Sequence, residues 1–140
     1  MRVFPGNNLG YFGPYEELLR QRMPGQHSGS CGAGRSTLGL EADGTIKGCP
    51  SLHTAAWAGG NVRESTLREV WERTAPLRYT RDRTPDDLWG YCRECYYAAE
   101  CMSGCTWMTH SLFGKPGNNP YCHHRALELQ RAGLRERVVL

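Results

Sequence analysis

Long apolar runs are what these 140 residues lack. Their start, Met1-Arg2-Val3-Phe4-Pro5-Gly6-Asn7-Asn8, has no apolar signal-peptide core. No stretch approaches the roughly 18 apolar residues of a membrane span. Lysine is scarce: fifteen of the seventeen basic residues are arginines, and acids are scattered among them. A nucleic-acid footprint would show as a basic stripe, and none is present. A solvated arginine-rich surface with a net charge of +3 is the simpler reading. Repeats and low-complexity tracts are also absent. The expectation is a protein of the reducing cytoplasm, with neither membrane nor nucleic acid as partner.

Apolar residues are lean as well. Hydrophobic content is 39%, against 17 glycines and 8 prolines in 140 residues. One domain is the expectation for this length. Buried apolar area of this order does not easily offset chain entropy. A structural metal can supply on the order of 10 kcal/mol of apparent folding energy, comparable to the net stability of a typical domain.

Cysteine is what the chain does have. Seven are present, an odd number that fits a disulfide scaffold poorly. Four fall in the run Cys92-x2-Cys95-x5-Cys101-x3-Cys105, and Cys122 follows after sixteen intervening residues. Cys31 and Cys49 stand upstream, with Gly44 five positions before Cys49. Soft thiolates grouped this tightly hold zinc or iron–sulfur clusters. Zinc would use Cys92-x2-Cys95 and Cys101-x3-Cys105 as paired knuckles, leaving Cys31, Cys49 and Cys122 with His123 or His124 for a second site. A [4Fe–4S] cube would take three ligands from C-x2-C-x5-C and a fourth from a distant cysteine. Spacing alone leaves both open.

Around these residues the sequence reads as α+β, small and irregular. Residues 1–30 form a lead-in, with Pro14 opening a short helix over 15–20 and a small, polar loop over 26–34 delivering Cys31. Ser36 to Gly48 reads as a β-hairpin turning at Asp43-Gly44, a two-residue turn signal. It brings Cys31 and Cys49 together at its open end. A loop is expected over 51–61, then a helix over 66–74 with Leu67, Val70 and Trp71 on one face, stopped by Pro76. The polar stretch 78–85 reads as a connector. Short helical turns follow at 95–101 and 104–112, a turn-dense loop at 114–120, and a last helix over 121–132 capped by Gly133.

The cysteine pattern resembles the seven-cysteine signature of the SPASM domain, the auxiliary-cluster domain of radical S-adenosylmethionine (SAM) maturases. All seven positions match: Cys31-x12-Gly44-x4-Cys49, then Cys92-x2-Cys95-x5-Cys101-x3-Cys105, then Cys122. The match covers about Cys31 to Arg125 and favours iron–sulfur over zinc. It implies a lead-in (1–30) like the end of a radical SAM barrel, a SPASM domain (31–125) and a C-terminal helix or tail (126–140). It also implies a hairpin and short helices wrapped around two [4Fe–4S] clusters. Cys31, Cys49 and Cys105 would hold the first, inner cluster. Cys92, Cys95, Cys101 and Cys122 would hold the second, outer one.

Departures from the family refine this reading. Some members carry an eighth cysteine shortly before the first. Here Met23 to Ser28 contains none, which leaves one inner iron for a substrate thiolate, water or His27. Sulfatase maturases place an acid after the second hairpin cysteine, where this chain has Pro50. The SAM-cleaving C-x3-C-x2-C loop is missing: Cys101-x3-Cys105 begins it, but position 108 is Met. The resemblance therefore implies part of a truncated or split maturase, not catalytic alone, with S-adenosylmethionine bound by a separate or missing barrel chain. Its role would be electron transfer and anchoring of a peptide or protein substrate; Trp89, Tyr91 and Trp107 read first as ordinary core, with shielding of the clusters as the alternative. The alternatives are a zinc-binding interaction module without redox role and, more remotely, an RNA-binding cluster protein. His110, His123 and His124 lack a nucleophile or carboxylate partner for acid–base catalysis, and Asp86-Asp87 reads as a solvated helix start.

Overall fold

The computed structural model describes Tyr15, Leu18, Arg20, residues 30–137 and Val139. The helix expected over 15–20, the loop over 26–29 and His27 fall wholly or largely outside the described residues. The chain divides into two compact units: Cys31–Thr84, and a second whose described part is essentially 85–137. Its class is α+β, as the sequence indicated.

In the first unit, β1 (Gly39–Leu40) and β2 (Thr45–Lys47) form the expected antiparallel hairpin, with Gly39 opposite Lys47 and Leu40 opposite Ile46. The turn is one residue longer than expected. Glu41 N–H donates to Thr45 O (2.9 Å), so Ala42, Asp43 and Gly44 form a three-residue loop. Gly44 takes φ +92°, the left-handed position such loops require. Asp43 Oδ1 accepts from Thr45 N–H at 2.9 Å and pins the turn.

The expected loop over 51–61 holds two elements instead, α1 (Thr54–Trp57) and β3 (Ala58–Asn61). β3 pairs antiparallel with β2 and completes a sheet of order β1-β2-β3. The Gly59-Gly60 pair carries no strand propensity, which hid it. Its reason is close packing: a Cβ on Gly59 would lie 2.1 Å from Leu77 Cδ1, and one on Gly60 would lie 2.9 Å from Val70 Cγ2.

Helix α2 (Leu67–Arg73) begins as the sequence suggested. Thr66 and Glu69 form a reciprocal capping box. The stretch read as a connector is largely helical: α3 spans Ala75–Asp82. Pro76 ends α2, yet it sits in the first turn of α3, where a missing N–H costs nothing. Val70 and Leu77 bury against Ile46, with Leu38 and Trp71 packed beside them. Leu77 is fully buried, so Leu77→Ala should destabilise by about 2–5 kcal/mol, read as a lowered denaturant midpoint.

The hairpin's open end is fastened by Lys47. Its ammonium is 3% exposed, pairs with Glu41 and donates to Pro50 O (3.1 Å) and Leu52 O (2.6 Å). This fixes the strand end that delivers Cys49.

The second unit is thinner. Turns of 3-10 helix cover Pro85–Asp87 and Gly90–Arg93. Three helices follow, α4 (Ala98–Cys101), α5 (Thr106–Phe113) and α6 (His123–Arg131). They are two or three residues shorter at their starts than the sequence suggested. Asp86 and Asp87 are exposed in their turn, the solvated start expected. The buried apolar cluster is Leu88, Cys92 and Met102, with Ala98 against it. One of its three buried members is thus a cysteine. Among the described residues no helix is long and apolar enough to cross a membrane.

Candidate metal centre

Four of the seven cysteines ring one pocket in the second unit. Cys92 comes from a 3-10 turn, Cys95 from the loop after it, Cys101 from the end of α4 and Cys122 from the N-cap of α6. They line the pocket with Tyr91, Tyr97, Ala98, Ser103, Asn119 and His124. The cavity between them measures about 20 Å³, little more than the ~10–15 Å³ that admits a single water. Among the described residues no three His, Cys, Asp or Glu side chains converge as ligands of a single ion. The thiols surround a space and do not meet at a point.

The backbone makes this possible within a short stretch. After Cys101 the chain takes three successive left-handed residues, Met102 (φ 50°), Ser103 (φ 58°) and Gly104 (φ 68°). This tight reversal closes α4 with Cys101 at the pocket and starts α5 with Cys105 as its N-cap. Two consecutive non-glycine residues at positive φ are costly, of order 1 kcal/mol or more each, and such strain clusters at functional sites.

Electrostatics tie the four sulfurs together. Burial pushes the Cys101 thiol up to about 12, reinforced by the charges of Cys122, Cys92 and Cys95 and opposed by the Gly104 N–H. Burial also raises Cys92, against the pull of the Asn119 N–H and the Arg125 guanidinium. Cys122 is raised by burial too, while the Arg125 and His124 N–H groups at the start of α6 favour its thiolate. Asn119 N–H donates to Cys92 Sγ at 3.3 Å. Tyr91 is raised by burial and by Cys95. Without a cation, burial favours the neutral thiol at Cys92, Cys101 and Cys122. Bound metal supplies the positive charge that makes them thiolates.

The donor set fits an iron–sulfur cluster. Four soft sulfur ligands line one pocket, and two buried polar groups on its wall, Ser103 Oγ and Asn119 Nδ2, have no hydrogen-bond partner. Neutral donors without acceptors suit a ligand that brings acceptors of its own.

The other three cysteines are placed differently. Cys31 and Cys49 share an apolar cluster with Ala33, Leu52, Trp57 and Tyr79 at the hairpin's open end, together as the hairpin reading expected. Cys105 belongs to the second unit and does not line its pocket.

The aromatics divide between pocket and ordinary packing. Tyr91 does line the pocket, but Trp89 packs edge-on against Phe113 (5.2 Å) and donates to Pro116 O (2.9 Å). Trp107 is 38% exposed. Neither Trp89 nor Trp107 lines the pocket. Tyr97 does, stacked edge-on against His124 at 5.0 Å. His124 thus has a wall position, while His110 and His123 do not line the pocket.

Sequence reasoning missed Arg125, Asn119 and Ser103. Arg125 is buried, donates to Asn118 Oδ1 (2.7 Å) and Asn119 O (3.1 Å), pairs with Glu136 and lies over the Tyr91 ring (5.2 Å). It clamps the pocket wall. Its only signal was position, one turn after Cys122.

Comparison with known proteins gives a consistent picture. Residues 31–96 match the model of a family described as SPASM, an iron–sulfur cluster-binding domain. An AdoMet-dependent heme synthase of Methanosarcina barkeri (strain Fusaro / DSM 804) is 32% identical over 96 residues, which cover 68% of this chain and 26% of the relative. The chain thus spans about a quarter of that relative's length.

Proposed function

Residues 31–96 carry a SPASM domain, the iron–sulfur cluster-binding domain of radical SAM enzymes, and from that premise we propose that this chain is the auxiliary-cluster module of such an enzyme. The observation that carries the proposal furthest is the ring of Cys92, Cys95, Cys101 and Cys122 around one pocket. These four hold a [4Fe–4S] cluster. Cys31, Cys49 and Cys105 hold a second, whose remaining iron is open to a substrate thiolate, water or His27. The functional domain therefore extends past the matched segment to Arg125, because the pocket needs Cys101 and Cys122.

Bound there, such clusters supply one-electron transfer. The chain's own residues set its conditions. Burial of Cys92 beside Leu88 and Met102 gives its sulfur an apolar surround. The Arg125 guanidinium and backbone N–H groups favour the anionic sulfurs. Cleavage of S-adenosylmethionine needs a C-x3-C-x2-C loop that these 140 residues do not contain, so a barrel elsewhere would provide it. The substrate is a peptide or protein, as in maturases with this signature. A second reading, favoured by the similarity to a heme synthase, is a heme precursor. Both place the chain in a reducing cytoplasm, where its thiols remain available.

The test is iron, acid-labile sulfide and zinc per chain after anaerobic reconstitution, with electron paramagnetic resonance on the reduced sample. About eight irons and eight sulfides are expected from two [4Fe–4S] clusters. Tightly bound zinc without sulfide would replace this reading with a zinc-stapled interaction module.

A further inference from the structure

Asn119 is held at three points. Its N–H donates to Cys92 Sγ (3.3 Å), its carbonyl accepts from Arg125 Nη1 (3.1 Å), and its Oδ1 accepts from Tyr121 N–H (2.9 Å). The last bond fixes the amide's orientation, because a backbone N–H can face only the oxygen end. The NH2 end is therefore committed to another direction. Asn119 is 1% exposed, lines the pocket with the four thiols, and its Nδ2 has no partner. The adjacent Asn118 makes the contrast: its Oδ1 serves Arg125, and it is no part of the lining. Ser103 repeats the pattern from the opposite segment. It is 2% exposed, lines the same pocket, and its Oγ is equally without a partner. Buried donors are paired in the great majority of native structures. Two orphans on one wall therefore call for an acceptor in the pocket.

We infer that the Asn119 side-chain amide and the Ser103 hydroxyl donate hydrogen bonds to sulfur atoms of the cluster held by Cys92, Cys95, Cys101 and Cys122, and so set its reduction potential. The inference rests on the cluster assignment above. Reduction adds an electron and makes the sulfurs better acceptors, so each donor stabilises the reduced state more than the oxidised one. Hydrogen bonds to sulfur are among the levers that tune such clusters. Both residues are positioning and tuning groups, not catalytic ones.

The experiment uses the reconstituted full chain, its Asn119→Ala variant and its Ser103→Ala variant. Iron and sulfide are counted, the potential is measured by redox titration followed by electron paramagnetic resonance, and exchangeable protons near the cluster are read by electron–nuclear double resonance in H2O and D2O. Each variant should load like the wild type and lose an exchangeable-proton coupling. Its one-electron reduction constant should fall by up to about tenfold, or about 59 mV. A purely structural role would not move the coupling. Should Asn119→Ala fail to load, Ser103→Ala decides, since no bond of its hydroxyl is lost from the fold. Loaded variants with unchanged potential and couplings would overturn this inference and leave the cluster assignment standing. A wild type without iron and sulfide would overturn both.

Discussion

Replacing Cys101 with serine should strip the reconstituted chain of about half its iron and sulfide, while replacing Cys105 should remove the other half. The two residues are four apart in sequence, but only Cys101 lines the pocket shared by Cys92, Cys95 and Cys122. Between them the chain turns through three left-handed residues and enters α5. A serine oxygen is a hard ligand and a poor substitute for thiolate at an iron–sulfur site. Loss of the pocket cluster should also be the more damaging to stability. The second unit buries little apolar side chain besides Leu88, Met102 and Met108. Metal binding worth on the order of 10 kcal/mol would dominate a unit with so thin a core. Elemental analysis with thermal unfolding reads both effects. A Cys101→Ser/Cys105→Ser double variant should lose nearly all its iron; one that still kept half would refute the division of the cysteines into these two sets.

Removing the metal should leave a protein that loses stability as the solution turns alkaline. In the metal-free fold Cys101 titrates at about 12, above its ordinary 9.0, and Cys92 and Cys122 are raised as well. A raised thiol binds its proton more tightly folded than unfolded. Its stabilisation is complete below the unfolded value and is lost as pH climbs toward the folded one. The metal-free chain should therefore weaken steadily from about pH 9 toward pH 12. The loaded protein should be flatter over the same range, since metal-bound thiolates have no proton to lose. Uptake of metal should release protons and grow more favourable with rising pH. Denaturant midpoints of both forms across this window check the result. Parallel pH profiles would mean that the four thiols are not what the metal engages.

Much of the site could be read from residue spacing. A thiol ligand declares itself by type, and the close spacing of Cys92, Cys95 and Cys101 allows them to share one site; spacing did not by itself separate Cys105 from them. The hairpin and α2 were equally legible, since Asp43-Gly44 and the Thr66–Glu69 box are local signals whose physics acts within a few residues. β3 was not. Its glycines have no propensity of their own, and their purpose is visible only against Val70 and Leu77. Pro76 signalled a stop in sequence, but whether a new helix starts on it depends on Leu77 finding a core to fill.

What the sequence by itself determined is the chemistry: soft ligands, their number and grouping, and the α+β frame that carries them. What only the tertiary structure decided is the wall around them. Asn119, Ser103, Tyr97 and Arg125 are ordinary residues in sequence, read as turn, loop or surface. They become part of the centre because a three-residue left-handed reversal, a buried guanidinium and one backbone hydrogen bond aim or clamp them there. Ligand identity is a property of the side chain, whereas direction and burial are properties of everything packed around it.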